Sequence, residues 1–134
     1  MACPYFLPVR RLPDLEGVPG WKMPLGGVFA GECHAREGAP WTPAEGQMRT
    51  ACNTGYAREQ CGRFPYDAKY DIIRFLITED REPAARLSYV YERDHHPALR
   101  GEIELPVDHT GPLQAQAMIY WNSYCRRKWK TQSR

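Results

Sequence analysis

Proline and glycine interrupt the first half of the chain so often that it cannot form long regular elements with a large apolar face. Residues 1–66 contain eight of the twelve prolines and nine of the eleven glycines. Most of this segment has no sustained helical or strand period. Hydrophobic burial alone would struggle to offset the conformational entropy lost when such a segment becomes ordered. We therefore expect an irregular N-terminal half that a bound group holds together.

Four of the five cysteines lie in this half, and they are the residues best suited to hold such a group. They are Cys3, Cys33, Cys52 and Cys61, and only Cys125 lies later in the chain. Cys3 and Cys61 begin similar phrases, CPYFLP and CGRFP, whose aromatic residues would cover a bound group. In a reducing compartment four thiols favour a metal site, whereas two disulfides are the alternative in an exported protein. The free energy of metal binding would then become folding free energy.

The spacing of these cysteines bears on the identity of the metal. Structural zinc sites usually contain cysteine pairs about two to four residues apart. Here 29, 18 and 8 residues separate successive cysteines, so no such pair occurs. A 4Fe-4S cluster also takes four thiolates and can join distant chain segments. We predict a 4Fe-4S cluster, with zinc as the alternative. Free cysteines that pack as small apolar side chains are a third interpretation, and it is the one expected for Cys125.

Two residues beside the cysteines could act on such a site. Arg63 follows Cys61 closely, and its charge would stabilise a reduced, more negative cluster and raise its reduction potential. His34 follows Cys33 directly and could replace a ligand or donate to a sulfur, although an exposed loop histidine is the simpler interpretation. The other histidines, at positions 95, 96 and 109, form no pattern that indicates a shared metal.

The functional prediction follows from these residues. The chain contains no phosphate-binding glycine loop, no dinucleotide fingerprint and no His-Glu-x-x-His sequence. We predict an electron carrier or redox sensor that works with a larger redox protein or complex, rather than an enzyme with its own substrate site. The alternative is a protein–protein interaction module whose cysteines bind structural zinc or no metal.

The second half has clearer secondary structure. Segments 70–78, 84–92 and 98–106 are rich in branched and aromatic residues and predict three antiparallel strands. Thr110-Gly111-Pro112 predicts the start of a helix over 112–128. Its residues at helical spacing would pack on the sheet; they are Leu113, Ala117, Trp121 and Tyr124.

The N-terminal half offers two helical signals. Thr42, Pro43 and Glu45 form a capping-box pattern that predicts a short helix from Pro43 to near Cys52. A further helical turn is expected in YAREQ. The fold class is therefore α+β in a single domain over 1–134. Residues 1–66 form its irregular cysteine-bearing half, and residues 67–134 form a small antiparallel meander with a C-terminal helix.

The distribution of charge indicates a protein partner. The formal net charge is only +2, which argues against a general nucleic-acid binder. No apolar run is long enough to span a bilayer, and the first residues do not resemble a secretory signal, so we expect a soluble, cytoplasmic protein. Aromatic residues and cations meet near the C-terminus, a composition typical of interfaces. A solvated last turn whose cations complement the helix dipole is the equal alternative. The predicted interaction residues are Trp121, Tyr124, Arg126, Arg127, Lys128 and Trp129.

Overall fold

The chain folds into two antiparallel sheets and a long C-terminal helix, as a computed structural model shows for residues 2–14, 19–36, 38–108 and 110–132. This architecture confirms the α+β class. The strands are β1 (Phe6–Leu12), β2 (Val28–Cys33), β3 (Ile72–Arg81), β4 (Ala84–Arg93) and β5 (His96–Leu105), and the helices are α1 (Glu45–Gln47) and α2 (Pro112–Gln132).

The second half contains the predicted meander, in the order β3-β4-β5. The strands extend further toward their turns than the sequence indicated, so each hairpin closes through two residues rather than five. At the β4–β5 turn, Asp94 and His95 have φ values of 51° and 66°. Two successive left-handed residues are what a tight turn needs to match the twist of its flanking strands.

Helix α2 covers one face of this meander. Ala117 and Trp121 pack against Ala85, Leu87 and Leu105 of the sheet, and Trp121 is only 4% exposed. The helix begins at Pro112, as predicted, and continues past residue 128 to Gln132. It also contacts β1, so one element joins the two halves of the chain.

The prediction of an irregular N-terminal half is wrong, because β1 and β2 form an antiparallel pair within it. The register places Phe6 opposite Cys33 and Leu12 opposite Val28, with an irregularity between Pro8 and Arg10. Proline is compatible with a strand at such an irregularity, where the ladder is already interrupted. Pro8 therefore makes β1 hard to predict from the sequence, although it does not prevent the strand from forming.

The short helix before Cys52 also differs from its prediction. It begins at Glu45 with Ala44 as the capping position, and no side chain in this described region caps it. After Gln47 the chain widens into a π-helical turn over Met48–Cys52. The expected turn in YAREQ is present as a 3-10 turn over Ala57–Glu59.

In the described residues, no helix has the length and apolar composition needed to cross a membrane.

Candidate thiol centre

The four N-terminal cysteines occupy four different chain segments. Cys3 precedes β1, Cys33 ends β2, Cys52 ends the π-helical turn, and Cys61 follows the 3-10 turn. A centre built from them would therefore connect every part of the N-terminal half.

Backbone hydrogen bonds bring these segments together. The N–H of Cys3 donates to the carbonyl oxygen of Cys52 at 3.0 Å. The N–H of His34 donates to the carbonyl oxygen of Tyr5 at 2.8 Å, which fixes the end of β2 beside the segment that follows Cys3. The N–H of Cys61 donates to the carbonyl oxygen of Ala57 at 2.8 Å and closes the loop that begins at Cys52.

Burial and the other thiols together change the pKa values of Cys3 and Cys52. Burial raises the pKa of Cys3 to about 12, and the charges of Cys52, Cys33 and Cys61 each raise it further. Burial likewise raises the pKa of Cys52 to about 12, with added contributions from Cys33 and Cys61. Without a cation, Cys3 and Cys52 therefore stay protonated at neutral pH.

The thiols do not yet have the geometry of a ligand set. Among the described residues, no three or more side chains of His, Cys, Asp or Glu form a group that could hold a metal ion. The fold thus brings the predicted cysteines together without showing the predicted four-cysteine metal site.

Three of the four sulfurs receive hydrogen bonds, and that of Cys52 comes from its own backbone and lowers its pKa. The side-chain amide of Gln47 donates to Sγ of Cys61 at 2.8 Å. A backbone hydrogen bond from Tyr5 lowers the pKa of Cys3 and so partly opposes the effect of burial. Donors of this kind stabilise a thiolate relative to a thiol.

The aromatic phrases after Cys3 and Cys61 cover the thiols. Cys3 and Cys52 are buried in one apolar cluster with Phe6 and Phe64, and Cys61 packs against it. The rings of Tyr5 and Phe64 meet edge to face with their centres 5.7 Å apart. The two similar phrases therefore meet in space.

Arg63 lies beside the end of β2 through its contact with Trp41. Its guanidinium carbon is 4.4 Å from the centre of the Trp41 ring. Trp41 pairs with Cys33 through two backbone hydrogen bonds, at 2.6 and 3.0 Å. Nε of Arg63 is buried, and it has no hydrogen-bond partner in the described part of the chain. A buried donor without an acceptor is costly, which makes this atom a candidate contact for a bound group.

Asn53 is a positioning residue that the sequence did not reveal. It is fully buried, and its amide both accepts from and donates to the backbone of Phe29 at 2.9 Å. It also donates to the carbonyl oxygen of Met48 at 2.7 Å. These bonds fix the turn at Cys52 to β2, the strand that ends at Cys33. The sequence predicted only that Asn53 and Gly55 allow a turn.

Gly55 allows this turn to lie close to the larger sheet. Its φ is 78°, and a Cβ at this position would collide with the side chain of Ile72. Both observations require glycine here.

Gln116 connects α2 to the segment around Cys3. Its side-chain amide donates to the carbonyl oxygens of Cys3 and Phe6, each at 2.8 Å, and the residue is fully buried. No local sequence signal identifies such a contact, because its partners lie more than a hundred positions away.

Arg58 anchors the loop between Cys52 and Cys61. It pairs with the buried Asp71 at 3.0 Å, and its guanidinium carbon lies 5.0 Å from the centre of the Phe64 ring. Tyr56 stacks on His95 with ring centres 4.2 Å apart. The loop is thereby joined to the turn of the larger sheet.

The remaining predicted residues that the structure describes have ordinary structural roles. His34 contacts Glu32 at 3.1 Å, His96 begins β5, and His109 lies outside the described residues. Cys125 packs in α2 against the second apolar cluster, where burial, followed by the charge of Glu82, raises its pKa to about 11. The structure therefore places Cys125 in a different apolar cluster from Cys3, Cys52 and Cys61.

Part of the predicted interaction surface is internal. Trp121 is core and cannot be an exposed interface residue. The Tyr124 hydroxyl donates to Asp80 at 3.1 Å, and Lys128 donates to the same carboxylate at 2.8 Å. The side chain of Trp129 lies outside the described residues.

Comparison of the chain with protein-family models, with curated proteins and with solved structures finds no match. The residues around the thiols therefore carry the functional assignment.

Proposed function

We propose that this chain binds a 4Fe-4S cluster through Cys3, Cys33, Cys52 and Cys61 and acts in electron transfer or redox sensing. The observation that carries the proposal is that Cys3, Cys52 and Cys61 pack in or against one apolar cluster, while a backbone hydrogen bond from His34 to Tyr5 holds the end of β2, with Cys33, beside the Cys3 segment. Thiols that serve only as apolar core side chains do not have to come together from distant segments of a fold.

The chemistry of the surroundings fits a cluster. Buried thiolates need a positive counterpart, and an iron–sulfur centre supplies iron that neutralises them. Hydrogen bonds from Gln47 and Tyr5 would stabilise the ligand sulfurs of Cys61 and Cys3. The unpaired Nε–H of Arg63 offers a further donor. The cluster is favoured over zinc because successive cysteines lack the short spacing that is typical of zinc sites.

The positions of the ligands are compatible with electron exchange at the surface. A 4Fe-4S cluster supplies one-electron chemistry when bound. Cys33 and Cys61 are half-buried, in contrast to Cys3 and Cys52. Pro4 and Tyr5 are also half-buried and form a thin cover over one side. A larger redox protein could dock against this edge, and Arg63 would raise the reduction potential.

Single serine substitutions at the four cysteines test the ligand set. After anaerobic reconstitution, each variant should lose the cluster absorption at about 400 nm, because a cluster needs all its thiolate ligands. The control is Cys125→Ser, which should keep the absorption. Full iron and sulfide content in all four variants would contradict the proposal, and loss of one bound zinc would support the structural alternative.

An Arg63→Glu variant tests the electron-carrier role. Reversing this charge should lower the reduction potential while leaving the iron content intact, since the reduced state carries more negative charge. Arg81→Glu is a matched control, because Arg81 is 77% exposed at the far end of β3. This role would be contradicted if voltammetry showed no reversible one-electron couple. It would also be contradicted if the wild type, Arg63→Glu and Arg81→Glu had equal reduction potentials.

A further inference from the structure

A groove lined by tyrosines lies next to the thiol centre, at the end of the sheet that α2 leaves uncovered. Leu87, Tyr89 and Tyr91 alternate along one face of β4, and α2 packs over the Leu87 end. At the other end the sheet and the segments before β1 and β3 line an open surface groove of about 360 Å³. It is lined by Pro4, Tyr5, Tyr70, Tyr89, Tyr91 and Leu99.

Contacts within the fold hold the rings of this groove in place. Tyr91 lies 4.9 Å from Tyr70 and 5.8 Å from Tyr89, measured between ring centres. Tyr89 is paired across the ladder with Gly101, and a Cβ on Gly101 would collide with the Tyr89 ring. The ring therefore lies directly over the backbone of β5. A groove already formed before binding loses little entropy when a ligand enters.

The polarity of the groove limits what it can bind. None of the six lining residues is charged, so nothing in this lining would balance a phosphate or a carboxylate. The hydroxyls of Tyr70, Tyr89 and Tyr91 make no hydrogen bond within the described part of the chain, and burial raises the pKa of Tyr91 to about 12. The Tyr91 hydroxyl is thus a neutral donor at physiological pH. The matching ligand is flat, aromatic and uncharged, with oxygen acceptors.

We propose that the groove binds a quinone-class ligand beside the thiol centre. Pro4 and Tyr5 line the groove and directly follow Cys3, so a bound ligand would lie next to the proposed cluster. The cavity is within the size range of small-molecule sites. The choice of a redox-active ligand rests on the proposed function, whereas the choice of a flat, uncharged acceptor rests on the groove alone.

Anaerobic calorimetric titration of the full chain tests this inference. The probe is a naphthoquinone methylated at both free positions of its quinone ring, because thiols cannot add to it. We expect saturable binding of one molecule per chain. Tyr91→Phe keeps the ring but removes the donor and should weaken binding about 3- to 10-fold. Gly101→Ala displaces the Tyr89 ring and should weaken binding at least as much.

Two controls separate the groove from general apolar binding. Leu76→Ala changes an exposed residue of the opposite sheet face and should leave binding unchanged. Dimethylnaphthalene, which lacks the carbonyl oxygens, should bind more weakly than the quinone. Circular dichroism verifies that each variant is folded.

Several results would overturn the inference. The wild-type chain would not bind the quinone saturably, or it would bind dimethylnaphthalene equally well. The quinone affinity would be unchanged in both groove variants, or sedimentation would show a dimer that does not bind the quinone. Iron and sulfide are measured separately on the same preparation. If an iron-free chain binds the quinone, the proposed quinone site is supported and the proposed cluster is contradicted. The two proposals can therefore fail independently.

Discussion

At the scale of single residues, the positions of the cysteines depend on polar side chains that reach across the chain. Asn53 joins the turn after Cys52 to the backbone of Phe29, on the strand that ends at Cys33. Gln116 holds the carbonyl groups of Cys3 and Phe6 from the C-terminal helix. Buried amides of this kind specify one arrangement, because any other leaves their partners unpaired.

Replacing Asn53 with leucine should destabilise the protein by roughly 3 kcal/mol, since several buried backbone groups would lose their partners. The free energy of unfolding in urea measures this effect. Thr54→Ala is the control, because the Thr54 hydroxyl bonds only the neighbouring Thr50 carbonyl at an exposed site. A difference between Asn53→Leu and wild type below about 0.5 kcal/mol would show that the amide has no such role.

Replacing Gln116 with leucine should expose Cys3. Both carbonyl groups would lose the Gln116 donor, the Cys3 carbonyl keeping only the N–H of Phe6 at 3.1 Å, and the segment before β1 would open more often. Alkylation of metal-free protein, followed by mass spectrometry, should show faster modification of Cys3 than in wild type. Asn122→Leu, an exposed change on the same helix, should leave the rate unaltered. Equal rates in all three proteins would contradict the role assigned to Gln116.

At the scale of elements, α2 is attached at both ends. Its first half holds the Cys3 segment, and its last turns are attached to the β3–β4 hairpin through Asp80 and Glu82. Lys128 approaches the two carboxylates at 2.8 and 3.0 Å. The hydrogen bond from Lys128, followed by that from Tyr124, lowers the pKa of Asp80 below its ordinary value.

This lowered pKa predicts how acid affects the end of α2. The attachment is fully present above the ordinary carboxyl pKa of 3.8 and is lost as the pH falls through the lower pKa of the folded state. The protection factors of the amides in the last turns of α2, which correct for the intrinsic pH dependence of exchange, should therefore fall below about pH 4. Lys128→Gln should show low protection factors in these turns at all pH values. The same acid dependence in this variant and in wild type would contradict the assignment.

The elements differ in how well the sequence predicted them, for physical reasons. The runs of branched residues in β3–β5 and the Thr110-Gly111-Pro112 start of α2 are local signals, and both predictions are confirmed. β1 and β2 were missed because Pro8 and Gly31 resemble interruptions. Gly31 is in fact required, since a Cβ there would collide with the backbone of Leu7.

The thiol centre was predictable only in its membership. Clustering of cysteines in the sequence singled out four residues, and three of them, Cys3, Cys52 and Cys61, pack in or against one apolar cluster. The most distant partner of Asn53 lies 24 positions away along the chain, and that of Gln116 lies 113 positions away. No local sequence pattern can therefore contain these contacts. Which group the thiols bind stays a prediction.

At the scale of the whole molecule, the thiol centre lies where the N-terminal segments meet the larger sheet. Ala2 pairs with Ile73 at the edge of β3, and Cys3 follows it directly. The loop between Cys52 and Cys61 is attached to the same sheet through Arg58 and Asp71. A group bound at the thiols would therefore stabilise the N-terminal half against a sheet and helix that have their own apolar cluster.

Determination of iron and acid-labile sulfide in anaerobically purified protein tests the central claim most directly. The account predicts about four irons and about four sulfides per chain, both lost in Cys52→Ser and both retained in Cys125→Ser. Protein that contains neither iron nor sulfide after reconstitution, or that contains one zinc instead, would contradict the account.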